Sequence, residues 1–244
     1  MKNPARLLAL ALFLAGSLAA CSKHGDQPAS PAQSKAPVLG VQQAAPAELE
    51  QPNPLVSASS YIPITSGNQL MFLYYALSKM PPDFESMAMS FSQDYRNTND
   101  AFKKNDIMSA LKPQMLAAIE AAKSQRYGIW TLDYVPVGHY DFNKKSFFLN
   151  SPFLTGNGTG YYRDNSSYQV NLKNGDAFNA MPVADENVAK QIEALVSRGQ
   201  GFTVKIYFFA QSADLSQHYV NAVATRVDLI DRGGNILASN PSKQ

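Results

Sequence analysis

Two histidines beyond the first fifty residues each stand near a carboxylate: His139 in "GHYDF", two residues before Asp141, and His218 in "DLSQHYV", four after Asp214. An imidazole oriented by a carboxylate can serve as a general base or ligate a metal. The partners such roles need are missing from the pattern, since neither H-E-x-x-H nor G-x-S-x-G occurs. The sequence therefore predicts no catalytic residue, no metal ligand and no cofactor, and reads both histidines as surface residues at strand ends. Gly156, Gly158 and Gly160 in "TGNGTGYYRDNSS" are spaced as a phosphate cradle could be, but a cradle feeds a helix N-terminus and strand and turn follow here. The same loop carries Tyr161 and Tyr162, with Tyr168 close behind, and these rings could stack on a sugar or a peptide. In "SQDYRNTNDAFKKND", Asp94, Arg96 and Lys103 alternate in sign with Asp100, Lys104 and Asp106. That pattern reads as a solvated helix face; the alternative is a polar groove receiving a partner's charged segment.

The chain has one cysteine, Cys21, placed where an apolar run gives way to charge. Lys2 and Arg6 precede "LLALALFLAGSLAA", fourteen uncharged residues from Leu7 to Ala20. This is an export signal's apolar stretch, short of the roughly 20 residues that cross a bilayer. Leu18-Ala19-Ala20-Cys21 resembles the lipobox of bacterial lipoproteins. The resemblance implies that residues 1–20 are removed, that the Cys21 thiol takes a diacylglyceryl group, and that the new amine is acylated as well. Two or three chains, at about 0.8 kcal/mol per buried CH₂, hold a protein to a membrane essentially permanently. An ordinary secretory signal with an incidental cysteine is the alternative. Ser22 after the cysteine, in place of Asp, resembles an outer-membrane address facing the periplasm, while Lys23 leaves the inner membrane open.

Charge excludes one class of partner. The precursor's net +2 comes from 21 basic and 19 acidic residues, and loss of Lys2 and Arg6 would leave 19 of each, so no nucleic-acid partner is expected. Residues 21–51 are built from Pro, Ala, Ser and Gln without an aromatic, too little apolar surface to offset ordering entropy. They are expected to form a disordered tether with a reach of about 30 Å, near 100 Å when pulled straight. Residues 52–244 suit a single globular domain with a core of its own, and the mature chain, with its one cysteine, can form no internal disulfide.

Periodicity supplies the elements that must position any site. Ser66 caps a helix with Leu70, Leu73, Tyr74 and Leu77 on one face, ended by Pro81-Pro82. A second helix from Asp83 carries Phe84, Met87, Ala88, Phe91 and Tyr95; a third, capped at Thr98 or Asn99, is expected to kink or break near Lys112 because of Pro113. The period then becomes two. "YGIWTLDYV" places Trp130, Leu132 and Tyr134 on one side, "FTVKIYFF" and "NAVATRVDLID" repeat the alternation, and Gly233-Gly234 makes a hairpin turn. One helix capped at Asp185, with Val188, Ile192 and Leu195 inward, interrupts the strands. The predicted fold class is α+β: N-terminal helices packed on a mainly antiparallel β-sheet, with that further helix inserted between strands.

The stretch from "YIPITSGNQLMFLYYALSKMPPDFESM" through "NDIMSALKP", with "YDF" at 140–142 and "FNAMPVADENVAKQIE", resembles a family of uncharacterised bacterial lipoproteins, a domain of unknown function. The resemblance implies location and domain boundaries and brings no activity or ligand. The favoured reading is a lipid-anchored, non-enzymatic binding or accessory module of the cell envelope, attached to the membrane through its N-terminal lipid, with an envelope protein or glycan as partner. An envelope-polymer hydrolase, marked by a cleft where His139 or His218 meets an acid, is the alternative, as is an inhibitor or immunity-like partner of another envelope protein. Replacing Cys21 by Ala should abolish acylation without changing the domain's unfolding midpoint; mass spectrometry of the mature N-terminal peptide reads the first and denaturant titration the second.

Overall fold

The structure is a computed structural model that describes residues 49–156 and 158–242; the expected signal, Cys21 and the tether as far as residue 48 lie outside the described residues. Side-chain caps decide where its helices begin. Ser66 Oγ accepts from Gln69 N–H (3.2 Å) while Gln69 Oε1 accepts from Ser66 N–H (3.1 Å), a reciprocal box that opens α1 (Gly67–Ser78). Asp83 opens α2 (Phe84–Phe91) by accepting from Ser86 N–H. The apolar stripe predicted to run on to Tyr95 is cut at Ser92, which ends α2 and accepts from Tyr95 N–H (3.2 Å) to start α3 (Gln93–Asn97). Asp100, rather than Thr98 or Asn99, caps α4 (Ala101–Ser124). Of the kink or break expected near Lys112, the break does not occur: α4 runs on through Pro113. Pro113 and Ser109, whose carbonyl loses its donor, both face solvent, where water can satisfy that carbonyl, and Gln114 Nε2 donates to the next one, Ala110 O (3.2 Å).

In chain order the strands are β1 (Ile62–Pro63), β2 (Tyr127–Val135), β3 (Ser146–Phe148), β4 (Gly158–Tyr161), β5 (Gln169–Leu172), β6 (Ala180–Pro182), β7 (Phe202–Asp214), β8 (Tyr219–Ile230) and β9 (Ile236–Pro241); α5 (Glu186–Val196) lies between β6 and β7. Seven of them form one sheet in the order β1-β2-β7-β8-β5-β4, with β9 on the other half of β8; β3 and β6 pair separately. The protein is thus built of helices and a sheet, as expected, but the finer reading needs correction. The sheet is mixed, because β1·β2 and β5·β8 are parallel. Nor do the helices form an N-terminal layer, since β1 precedes them. Parallel neighbours need a long crossover, and residues 67–124, all four of those helices, supply the one between β1 and β2.

Register separates the faces of the sheet. Val204, Ile206 and Phe208 on β7 oppose Leu229, Val227 and Ala224 on β8, all at most 2 % exposed, and α1 packs on both strands. β2 continues this inner face with Trp130 and Leu132, and then a bulge intervenes. The bulge takes Tyr134 off the face predicted for it: the residue adopts φ 58° and its side chain turns to solvent, while Val135 turns in. Gly128 opposes Phe208 because only a missing Cβ admits that ring, which would lie 2.4 Å from a Cβ built there. Phe208 is fully buried and has nowhere to retreat. Gly128→Ala should therefore cost about 1–3 kcal/mol of stability. Phe208→Leu in the same chain should recover part of that loss, a coupling that a double-mutant denaturation cycle measures.

Candidate functional site

The three tyrosines expected to stack on a ligand are separated by their burial. Tyr161 is exposed at the end of β4. The Tyr162 hydroxyl donates to Ile64 O and its ring packs on Trp130 (4.5 Å between centroids); burial, with Asp164 nearby, pushes the phenol up to about 12. Tyr168 is 6 % exposed, donates to the Tyr75 hydroxyl (3.3 Å) and is raised by burial and by that bond. A single exposed ring is left where three were predicted.

The charged helical stretch is likewise divided. Asp94 and Lys103 are exposed, and Arg96 Nη1 donates to Met89 O (2.7 Å) and Ser90 O (3.0 Å), closing the carbonyl end of α2. That use occupies the guanidinium with its own chain. Of the aromatic and methionine side chains on and beside α1 and α2, Met71, Met87 and Tyr74 are buried, whereas Met80, Met89 and Phe91 are exposed.

Neither histidine takes the acid nearest in sequence. Asp214 accepts from Ser216 Oγ (2.7 Å) and Ser216 N–H (2.9 Å), which lower its pKa and shape the β7–β8 turn. His218, at φ 56°, stacks on Tyr168 at 5.4 Å. Asp141 accepts from the N–H groups of Asn143 and Lys144 in a turn. His139 instead meets Glu193 of α5: Nδ1 lies 2.6 Å from Oε1. The Glu193 carboxylate also accepts from Tyr140 N–H (3.0 Å) and Ser197 Oγ (3.2 Å). Desolvation pulls the Glu193 pKa upward, but these bonds, that from His139 foremost, outweigh it and hold the carboxyl below its ordinary value.

This carboxylate lies on the wall of a groove of about 580 Å³ between α5 and the 140–145 turn. From α5 come Glu186, Ala189, Lys190, Glu193, Ala194 and Ser197, one helix face at i, i+3, i+4, i+7, i+8 and i+11. The wholly buried Ile192 anchors the helix from behind. Opposite stand Tyr140, Phe142 and Lys145; Tyr140 is fixed by its hydroxyl donating to Val183 O (2.9 Å) and by Phe147 at 5.0 Å. The lining is apolar inside a rim that carries two lysines and two glutamates. That arrangement suits the apolar side chain of a partner with either charge beside it. As a catalytic device it is incomplete: His139 stands largely in solvent, and no hydroxyl among the described residues hydrogen-bonds to its ring.

Sequence reasoning missed this groove because Glu193 lies 54 residues from its imidazole partner. A signal was present in α5, whose second face carries Ala189 and Ala194 among charges where long polar side chains would suffice for solubility. Compared with known proteins, the chain matches no family model, no curated protein and no solved structure.

Glu193 gives a pH-dependent prediction. Its folded pKa is depressed, so its stabilisation is full above the unfolded value of about 4.3 and is lost as pH falls through the folded one. Glu193→Gln should cost about 0.5–1 kcal/mol at pH 7, a figure discounted for solvent screening. The gap from the parent chain should close as the pH is lowered to about 3, followed by urea denaturation at each pH.

Proposed function

We propose that this protein is a lipid-anchored binding or accessory module of the cell envelope, held through Cys21 and presenting the α5 groove to a partner. The proposal groups it with the uncharacterised lipoproteins its sequence resembles and locates it in the outer membrane facing the periplasm. The observation that carries the binding reading is the groove itself: an apolar lining of Tyr140, Phe142 and alanines inside a rim of mixed charge. Such a surface recognises a protein segment by one buried side chain and flanking ion pairs. Phe142, 83 % exposed and edge-on to Tyr140 at 5.1 Å, is the ring that a partner would cover first.

A hydrolase acting on envelope polymer is the second reading, because an imidazole does meet an acid beside a concave surface. It would need a water or a substrate hydroxyl at the free imidazole nitrogen, activated with Glu193 holding the ring.

The two readings separate in cells. A photo-crosslinking amino acid at Ala194 should trap one envelope protein in a discrete adduct, identified by mass spectrometry, and Phe142→Ala should reduce its yield several-fold. Failure to form any adduct, together with release of soluble fragments from purified envelope polymer that His139→Ala abolishes, would replace the binding reading by the hydrolytic one.

A further inference from the structure

The outer face of the sheet carries a row of aromatic rings bracketed by two arginines. Tyr127 lies against Phe209 at 4.9 Å, and Tyr61 stands edge-on to both Tyr127 (5.1 Å) and Tyr207 (5.3 Å). Arg126 covers Phe209 at 4.4 Å, and Arg226 covers Tyr207 at 5.2 Å. The two cations differ in what they have left to offer. Arg226 donates through Nε to the buried carboxylate of Asp228 (2.6 Å), which largely neutralises it. Arg126 is fixed by donating to two carbonyls, Ala210 O (2.8 Å) and Gln211 O (2.9 Å), and turns its remaining nitrogen to the Glu50 carboxylate.

We propose that this row is a recognition surface for proline-containing acidic peptide segments, and that Glu50–Pro54 sits on it as the chain's own, displaceable occupant. The contacts are those a receptor makes with a peptide. Arg126 takes the carboxylate, Gln211 Nε2 donates to Glu50 O (3.1 Å), and the Tyr127 hydroxyl accepts from Asn53 N–H (2.8 Å). Pro52 and Pro54 then wall a groove of about 380 Å³ whose other side holds Tyr61, Tyr207 and Arg226. Proline-rich segments suit such a seat, since their backbone is preformed and their rings pack on aromatic faces at little entropic cost.

Two features separate an occupant from a fixed part of the fold. The large apolar side chains that flank the segment stay in water, with Leu49 51 % and Leu55 89 % exposed, and within it only Pro52 is half-buried, so little apolar burial holds it down. Between it and the sheet lie only short turns, Asn53–Val56 forming one (Val56 N–H to Asn53 O, 3.2 Å) and Ser57–Ser60, all exposed, a further one, with β1 starting at Ile62. Lifting Glu50–Pro54 therefore unpairs no strand. The carboxylate two residues before a proline, as in Glu50-Gln51-Pro52, is the feature a competing segment must share.

The test is a fluorescent peptide of residues 46–56, PAELEQPNPLV, titrated by anisotropy into the full chain and into its Glu50→Lys variant. A tethered occupant competes at an effective concentration in the millimolar range. The variant should accordingly bind the peptide saturably and at least about fivefold tighter than the parent, and a peptide carrying lysine in place of Glu50 should lose that binding. In the variant, amide exchange at Asn53 should accelerate while the β2 and β7 amides keep their protection. Absence of saturable binding to either chain, equal binding of both peptides, or loss of protection across β2 and β7 would each overturn the proposal.

Discussion

Everything else in this protein is placed by the pairing of β7 with β8, which runs from Thr203 opposite Ile230 to Asp214 opposite Tyr219. β2 adds to one side of that ladder, and β5 and β9 share the other. Its inner face takes α1; its outer face takes Tyr61 and the segment before it. Both faces of the ladder are thus covered at its centre, and Tyr207 and Phe209 on the outer side are nearly as buried as Ile206 and Phe208 on the inner. A hairpin closed by a short turn can form early and at low loop entropy, so the rest of the fold has a local scaffold on which to assemble.

The ladder also encloses a charge. Asp228 is wholly removed from water near the end of β8, where an isolated carboxylate would be prohibitive. It accepts from Arg226 on its own strand and from Ser239 of β9 (2.7 Å), while Arg226 also donates to Ser239 (3.3 Å). A buried pair of this kind adds little net stability but makes wrong pairings expensive. Sliding β9 by one residue would send the Ser239 hydroxyl to the opposite face and strip Asp228 of one of its two hydrogen-bond donors. The register of the last strand is thereby fixed by polarity as well as by apolar alternation.

What could be read from the sequence was chiefly what depends on neighbours along the chain. Ser66 and Asp185 act as the caps expected, the second helix starts at Asp83 as its periodicity implied, and the Gly233-Gly234 turn closes with Gly234 at φ 83°. The misreadings arise where two local preferences compete or where a distant residue decides. Ser92 satisfies two helix ends at once and splits a stripe that periodicity alone joins. Strand alternation places Tyr134 inward because it cannot anticipate a bulge. Tyr162 and Tyr168 were expected in a loop able to meet a ligand, yet Trp130, Tyr74 and Tyr75, from elements far off in sequence, enclose them. The groove on α5 required knowing that residues 139 and 193 meet, and the seat of Glu50 that residues 50 and 126 do. Composition assigned residue 50 to a tether, and composition carries no information about which arginine is waiting for its one carboxylate.

The order of strands has a consequence for biogenesis. The centre of the sheet, β7 and β8, lies in the last fifth of the chain, while β1 and the helices that need it come from residues 62–124. A chain emerging from its amino end therefore presents Leu70, Met71, Leu73 and Met115, each no more than 3 % exposed once folded, long before the surface that covers them exists. The half-made protein must remain unaggregated on the strength of helix caps and soluble outer faces alone. Truncation from the carboxyl end, which removes β8 and then β7, should be far more damaging than truncation of equal length from the amino end.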